Sequence, residues 1–373
     1  MPREPVLSKY LHQKGNKLGL PISGTFELTP RCNFNCKMCY VHLSEQEQRR
    51  RGQELTAEQW IRLGEQACKQ GMVFLLLTGG EVLLRPDFPQ IYRALKKMGL
   101  IISVNTNGYL LRDNLRELFC EEPPCHLNIS LYGTSDETYQ RLCGVPAYET
   151  IVENARALRQ AGVRIRLSMS LTGYNYEDMK AVYRQAQELG VETQAAAYMF
   201  PPVRITGRFG EADRLSAQQA GACEVDYMRL KLSREEFLAR AANYRDGVRE
   251  QATEDCEGVP GAQMACRAGR SSFWISWDGK MTPCGMMPVP AEDVRKQDFV
   301  QAWQNIRSAV SRIRLPKECT QCRYRHACHA CAAMCYCETG HFDAKPEYVC
   351  RMTEERVKLA MACLKEEDHE TEA

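Results

Sequence analysis

The sequence predicts an α/β protein: a parallel sheet with helices on its outside, followed by a small cysteine-rich α+β domain. Three observations predict it. Strand-like and helix-like segments alternate from about residue 24 to residue 200. Glycines stand where helices should stop before the next strand, at Gly71, Gly99, Gly162 and Gly190. From residue 256 onward the alternation gives way to closely spaced cysteines. Repeated βα units build parallel sheets, because each crossover helix packs back on a face of the sheet. Six such units predict an incomplete, TIM-like (β/α)6 barrel, whose site would lie at the C-terminal ends of its strands.

The candidate strands are 25–29, 72–78, 100–105, 126–132, 163–171 and 193–199. Amphipathic stretches such as 56–69 and 151–160 lie between them, and Thr56 with Gln59 has the spacing of a capping box. Pro201-Pro202 breaks the pattern, and residues 214–250 read as charged helix. Residues 258–261 read as a loop. A hairpin is expected over 273–282, where Asp278-Gly279 separates two alternating segments. Residues 299–313 and 352–366 read as helices, and the acidic end, 365–373, should fray. The expected parts are an N-terminal segment (1–23), the barrel core (24–213), a helical linker (214–255), the cysteine-rich domain (256–351) and a C-terminal helix and tail (352–373).

The chain has 373 residues, a formal net charge of +2 and no long basic block, which argues against nucleic acid as a partner. No apolar run approaches the length of a bilayer span, which argues against a membrane partner. Residues 1–20 lack the apolar core of a signal peptide, so a cytoplasmic location is expected. Nineteen cysteines in such a chain point to metal rather than disulfides. Three lie in 32–39 and ten between Cys256 and Cys350. The other six, Cys68, Cys120, Cys125, Cys143, Cys223 and Cys363, read as small apolar filler.

Cys32, Cys36 and Cys39 form a C-x3-C-x2-C run directly after the first candidate strand. Three thiolates can hold three irons of a [4Fe–4S] cube and leave the fourth iron for a ligand that is not protein. A zinc knuckle is the other reading, with His42 as the nearby fourth ligand. A second motif, Gly79-Gly80-Glu81, closes the next candidate strand. In this order and at these strand ends, the two motifs resemble the radical S-adenosylmethionine (SAM) enzymes, over about residues 24–200.

The resemblance implies that Cys32, Cys36 and Cys39 hold a SAM-binding cluster. It also implies that Gly79, Gly80 and Glu81 receive the SAM amino group. Met38 stands where the family usually has an aromatic beside adenine, and Val82 where Pro is frequent. Asn105 ends the third strand in a short polar turn and is a candidate SAM contact. Ser130 and Arg141 match positions that take the ribose and carboxylate, and a guanidinium fits a carboxylate as a bidentate fork.

Cys266, Gly279-x4-Cys284, then Cys319, Cys322, Cys328 and Cys331 in a C-x2-C-x5-C-x2-C run, and Cys350 form an ordered series. Residues 319–331 by themselves also suit a zinc ribbon. As a whole, 256–351 resembles the SPASM extension, which implies two auxiliary [4Fe–4S] clusters. By that resemblance Cys319, Cys322, Cys328 and Cys350 hold the outer one. Cys266, Cys284, Cys331 and Cys256 hold the inner one, with Cys335 and Cys337 close enough to compete.

The implied activity is an oxidoreductase that cleaves SAM to a 5′-deoxyadenosyl radical and takes hydrogen from a peptide or protein side chain. The alternative substrate is a small molecule or cofactor precursor such as a tetrapyrrole, and a non-catalytic iron–sulfur carrier is a third possibility. A reducing partner such as flavodoxin or ferredoxin is implied. Gly285 follows Cys284 where the sulfatase-maturing branch has Asp, so that activity is not expected. Tyr40, His42 and Arg204 are candidates to face the cavity. An extended peptide would enter through a mouth between the barrel and the hairpin near Trp274 and Trp277, or pair with a free strand edge.

Overall fold

The computed structural model describes residues 6–202, 213–250 and 261–371. Its strands are β1 (Ser23–Glu27), β2 (Phe74–Thr78), β3 (Ile101–Thr106), β4 (His126–Ser130), β5 (Ile165–Ser170), β6 (Glu192–Ala196), β7 (Ser272–Ile275), β8 (Lys280–Thr282) and β9 (Glu292–Asp293). They form one sheet in the order β6-β5-β4-β3-β2-β1-β7-β8-β9. Strands β1 to β6 are all parallel, and the sheet stays open, with β6 and β9 at its edges. The first six strands are therefore those the alternation predicts, with ends displaced by a few residues.

The helices are α1 (Val6–Leu18), α2 (Glu45–Arg51), α3 (Ala57–Lys69), α4 (Phe88–Lys97), α5 (Asp113–Glu121), α6 (Asp136–Cys143), α7 (Tyr148–Gln160), α8 (Met179–Glu188), α9 (Ala217–Lys231), α10 (Arg234–Glu250), α11 (Phe299–Ser311), α12 (Ala332–Thr339) and α13 (Glu347–Thr371). Helix α3 begins on the expected capping box, with Thr56 accepting from the Gln59 amide and Gln59 returning to the Thr56 amide. Gly71, Gly99, Gly162 and Gly190 all have positive φ, the conformation a helix stop demands and only glycine adopts freely.

Alternation along the strands separates two chemistries. Phe26, Leu75, Leu77, Ile102, Val104, Leu127, Ile129, Leu167 and Met169 are buried in the main core, where Phe26 meets Trp60 of α3 at 4.9 Å between rings. The opposite face carries Thr25, Asn105, Asn128, Ser130, Ser168 and Ser170, all half-buried. A parallel sheet covered on both faces would be apolar throughout. This one keeps a polar face, which suits a site rather than a core.

The hairpin does not stand apart from the barrel. Strand β7 pairs parallel with β1, matching Thr25 to Trp274 and Phe26 to Ile275. Strands β8 and β9 then follow antiparallel. The expected mouth between barrel and hairpin is thus closed by backbone pairing, and Trp277 is buried against Leu43 rather than lining an entrance. The β6 edge is also covered. The Tyr227 hydroxyl donates to the Thr193 carbonyl at 2.8 Å, and Lys231 Nζ donates to the same oxygen at 2.8 Å. A peptide adding to that edge would have to displace both.

Candidate functional site

The first cysteine loop leaves β1 and is fastened to the loop after β2. The Leu28 amide donates to the Thr78 carbonyl at 2.8 Å, extending the β1–β2 ladder. Beyond it, the Gly80 amide donates to Thr29 O and the Glu81 amide to Arg31 O, each at 2.8 Å. This close approach explains the glycines. A Cβ at Gly79 would lie 2.6 Å from Thr29 O, and one at Gly80 would lie 2.3 Å from Arg31 O. Both obstacles are backbone, so neither can rotate aside.

A buried ionic network braces the base of the same loop. Arg85, only 5% exposed, donates to Leu28 O at 2.9 Å and Leu55 O at 3.1 Å. It also reaches Glu54 at 3.1 Å and Asp87 at 2.7 Å. Glu54 in turn accepts from Thr29 Oγ1 at 2.6 Å and Arg31 Nε at 2.8 Å. Sequence reasoning missed Glu54 and Arg85. Nothing local marks them, although Arg85 does stand four residues after the Gly-Gly-Glu motif.

Two of the three sulfurs of the loop receive backbone donors from the residues that follow them. Phe34 N lies 3.4 Å from Cys32 Sγ, while Val41 N and His42 N lie 3.4 and 3.2 Å from Cys39 Sγ. Burial raises the Cys32 and Cys39 thiols above the ordinary range, and a neighbouring negative Glu81 adds to the rise at Cys32. Cys36 is raised first by a hydrogen bond with Cys143, then by burial. These thiols would ionise only when a metal takes their charge, as cluster ligands do. Cys143, read from sequence as filler, is thus a buried neighbour of a cluster-motif sulfur. Cys143 keeps its place in the apolar core, whereas Cys120 departs from the filler reading, since it is exposed.

Glu81 is fully buried. Its carboxylate accepts from Thr106 Oγ1 at 2.9 Å, the Asn107 amide at 2.7 Å and the Leu83 amide at 3.0 Å. Burial raises its pKa to about 7 despite these donors. The side chain therefore joins the end of β2 to the turn after β3. Asn107 completes the link, donating to Asn33 Oδ1 at 2.8 Å and to Cys32 Sγ at 3.8 Å. The sequence singled out Asn105 instead. That residue faces along the sheet, donating to Thr78 Oγ1 at 3.4 Å and accepting from Asn128 at 2.8 Å.

The remaining predicted residues are less concentrated. Met38 is buried in the main core. Ser130 ends β4, and its carbonyl accepts from Tyr139 at 3.3 Å. Helix α6 packs on the cysteine loop, since Asn35 N and Lys37 N donate to Cys143 O and Leu142 O at 2.9 and 3.0 Å. Arg141 of that helix turns outward, donating to Tyr174 O at 2.7 Å beside a polar cavity of about 310 Å³. Tyr40 and His42 are half-buried next to the loop, while Arg204 lies outside the described residues.

In the second cysteine field, Cys319, Cys322, Cys328 and Cys350 line one cavity of about 630 Å³, with Cys335. Cys284 follows β8, and Cys331 is the N-cap of α12. Burial, with charge on Cys331 and Cys266, raises the Cys284 thiol to about 11. Cys256 lies outside the described residues. Among the described residues, no three His, Cys, Asp or Glu side chains converge tightly enough to hold a single metal ion. A four-iron cube instead takes its thiolates at separate irons. Gly285 lies flat against Trp274, whose ring atoms would stand 2.9–3.0 Å from a Cβ there. The Trp274 indole also donates to buried Glu27 at 3.1 Å. A side chain at position 285, acidic or otherwise, has no room while Trp274 holds this place.

The sequence matches the radical SAM superfamily over residues 26–186 and the iron–sulfur cluster-binding SPASM domain over residues 266–332. The chain is therefore a radical SAM enzyme with a C-terminal SPASM domain, and it uses [4Fe–4S] clusters and SAM. Among its relatives is the AdoMet-dependent heme synthase of Methanosarcina barkeri, 28% identical over 337 residues, which are 87% of this chain and 94% of that protein. The sporulation killing factor maturation protein SkfB of Bacillus subtilis is 24% identical over 322 residues, 86% of this chain and 73% of that protein. In fold it is similar to Streptococcus suis SuiB bound to precursor peptide SuiA. The TM-score is 0.66 at 16% identity, covering 92% of this chain and 80% of that chain. No described helix is long and apolar enough to cross a membrane.

Proposed function

We propose that the protein oxidises a side chain of a peptide or protein by radical chemistry, yielding an oxidised residue or a crosslink. The observation that carries the radical step is the cysteine loop, pinned by backbone hydrogen bonds and ionic braces onto Gly79-Gly80-Glu81 at the strand ends. Cys32, Cys36 and Cys39 would hold the SAM-binding cluster. Gly79, Gly80, Asn105 and Ser130 would contact SAM, and Glu81, which holds the turn after β3, would lie beside it. Arg141 would join them only by leaving Tyr174 O. When bound, the cluster and SAM supply a carbon radical that removes a hydrogen atom from the substrate. The second cysteine field would hold the groups that accept the electron released by the oxidation. A flavodoxin- or ferredoxin-like partner would supply the reducing electron.

The polar sheet face favours a peptide. Asn128, Ser168 and Ser170 offer amide and hydroxyl partners to peptide groups, whereas a flat macrocycle seeks a mainly apolar slot. The SkfB relative supports the same substrate class. A second reading, oxidation of a carboxylate-bearing tetrapyrrole, is favoured by the heme synthase match over 94% of that protein. A cavity of about 300 Å³ lined by Arg166, Lys231, Arg240 and Arg356 would suit carboxylates. The deciding experiment incubates reconstituted enzyme, SAM and reductant with cysteine-rich and repeat peptides, and separately with a propionate-bearing tetrapyrrole. We expect a peptide product lighter by a pair of hydrogens. Turnover of the tetrapyrrole alone, with loss of carbon dioxide, would establish the second reading.

A further inference from the structure

The cavity of about 300 Å³ beside the β6 edge lies apart from the radical site. Strand β6 lends it Thr193 and Ala195, α9 lends Lys231, α10 lends Arg240 and α13 lends Arg356. Thr193 and Ala195 pair in register with Leu167 and Met169, which are buried in the main core. Paired residues of a parallel sheet point to the same face. The cavity therefore lies on the helix side of β6, opposite the polar face that carries Ser168 and Ser170.

Its charge is unbalanced. Arg166, Lys231, Arg240 and Arg356 line it, against the single carboxylate of Glu224. Arg356 pairs with Glu224 at 2.5 Å, and Arg166 pairs with Glu192 at 2.8 Å. Among the described residues, half-buried Lys231 and Arg240 have no carboxylate within ion-pair distance, and Lys231 gives its one hydrogen bond to Thr193 O. Arg356 is only 3% exposed, yet its Nε has no hydrogen-bond partner among the described residues. Buried donors and charges without partners are costly, and an anion would offset that cost here. The volume is at the small end of ligand cavities, with room for a few carbons and two carboxylates. A tetrapyrrole could place one propionate there and no more.

We propose that this cavity binds a small dicarboxylate, with Lys231 and Arg240 supplying the opposing charge and Arg356 Nε a further donor. The site does not depend on which substrate the radical chemistry oxidises. A bound dicarboxylate would tie the β6 edge to α13, the helix that carries Cys350, and so join the barrel to the cysteine field.

The test titrates succinate into the reconstituted full-length protein at low salt, by calorimetry and by the thermal unfolding midpoint. Succinate should bind at one site per chain and raise the midpoint. Arg240→Gln breaks no described ion pair and should weaken binding by about tenfold or more, while Arg240→Lys should keep much of it. A propionate-bearing tetrapyrrole or an acidic peptide, added to the succinate-loaded protein, identifies the source of the carboxylate. Displacement of succinate assigns the cavity to a carboxylate of the substrate, and binding of both together assigns it to a free dicarboxylate. The proposal is overturned by an absence of succinate binding, by equal affinity in the unaltered and Arg240→Gln proteins, or by binding of inorganic phosphate without succinate.

Discussion

Replacing Gly80 with alanine is expected to abolish SAM cleavage while leaving the auxiliary clusters in place. The added Cβ would lie 2.3 Å from Arg31 O, 2.8 Å from Arg31 C and 2.9 Å from Pro30 O. All three atoms belong to the backbone that leads into Cys32. Relief requires the loop to lift, which breaks the Gly80–Thr29 and Glu81–Arg31 hydrogen bonds together. Overpacking of this kind costs about 1–3 kcal/mol, small beside the stability of a domain this size but enough to displace the three thiols. Iron content should fall by about four per chain, and 5′-deoxyadenosine should not form. A Gly80→Ala protein with full iron content and undiminished product would show that the close approach does not position the cluster loop.

Arg214→Met should be the most destabilising single change at the boundary between the barrel and the cysteine field. The guanidinium is nearly fully buried and pairs with Glu338 of α12 at 2.7 Å. It also stacks on Tyr348 at 4.0 Å from the ring centre. Methionine keeps much of the packing but strands the Glu338 carboxylate, itself only 11% exposed, with Tyr198 as its remaining donor. Removing one partner of a buried pair costs about 3–5 kcal/mol, mostly through the charge left behind. We expect a clear drop in the thermal unfolding midpoint. Arg214→Met with Glu338→Gln together should recover part of the loss, since the double change leaves no stranded charge. Equal loss in the single and double variants would mean that the stacking on Tyr348, and not the ion pair, holds the boundary.

What the sequence discloses here is local. The six parallel strands follow from alternation over a few residues and from the glycines that end the intervening helices. The capping box of α3 needs only Thr56 and Gln59. The cluster motif is legible because three thiols at that spacing have few other uses. What it conceals is long-range. Glu54 and Arg85 brace the cysteine loop from positions 31 residues apart, and charged residues at such spacing are ordinarily solvated. The pairing of β7 with β1 joins segments 249 residues apart in the register Ser23 to Ser272. No turn signal announces it, so the hairpin looks like a separate piece across a mouth. Asn105 and Asn107 both fit a polar turn after β3. Only the path of the backbone shows that Asn107 meets Cys32 and Asn33 while Asn105 meets Thr78.

Cys32, Cys36 and Cys39 would hold the cluster that opens SAM at the Gly79-Gly80-Glu81 edge, and this role decides the enzyme's chemistry. It is tested most directly by anaerobic incubation of the reconstituted protein with SAM and a strong reductant, followed by quantification of 5′-deoxyadenosine. Product is expected from the unaltered protein even without substrate, and none from Cys36→Ala, which should retain its auxiliary irons. Product formed equally by Cys36→Ala, or stoichiometric zinc with little iron in the unaltered protein, would contradict it.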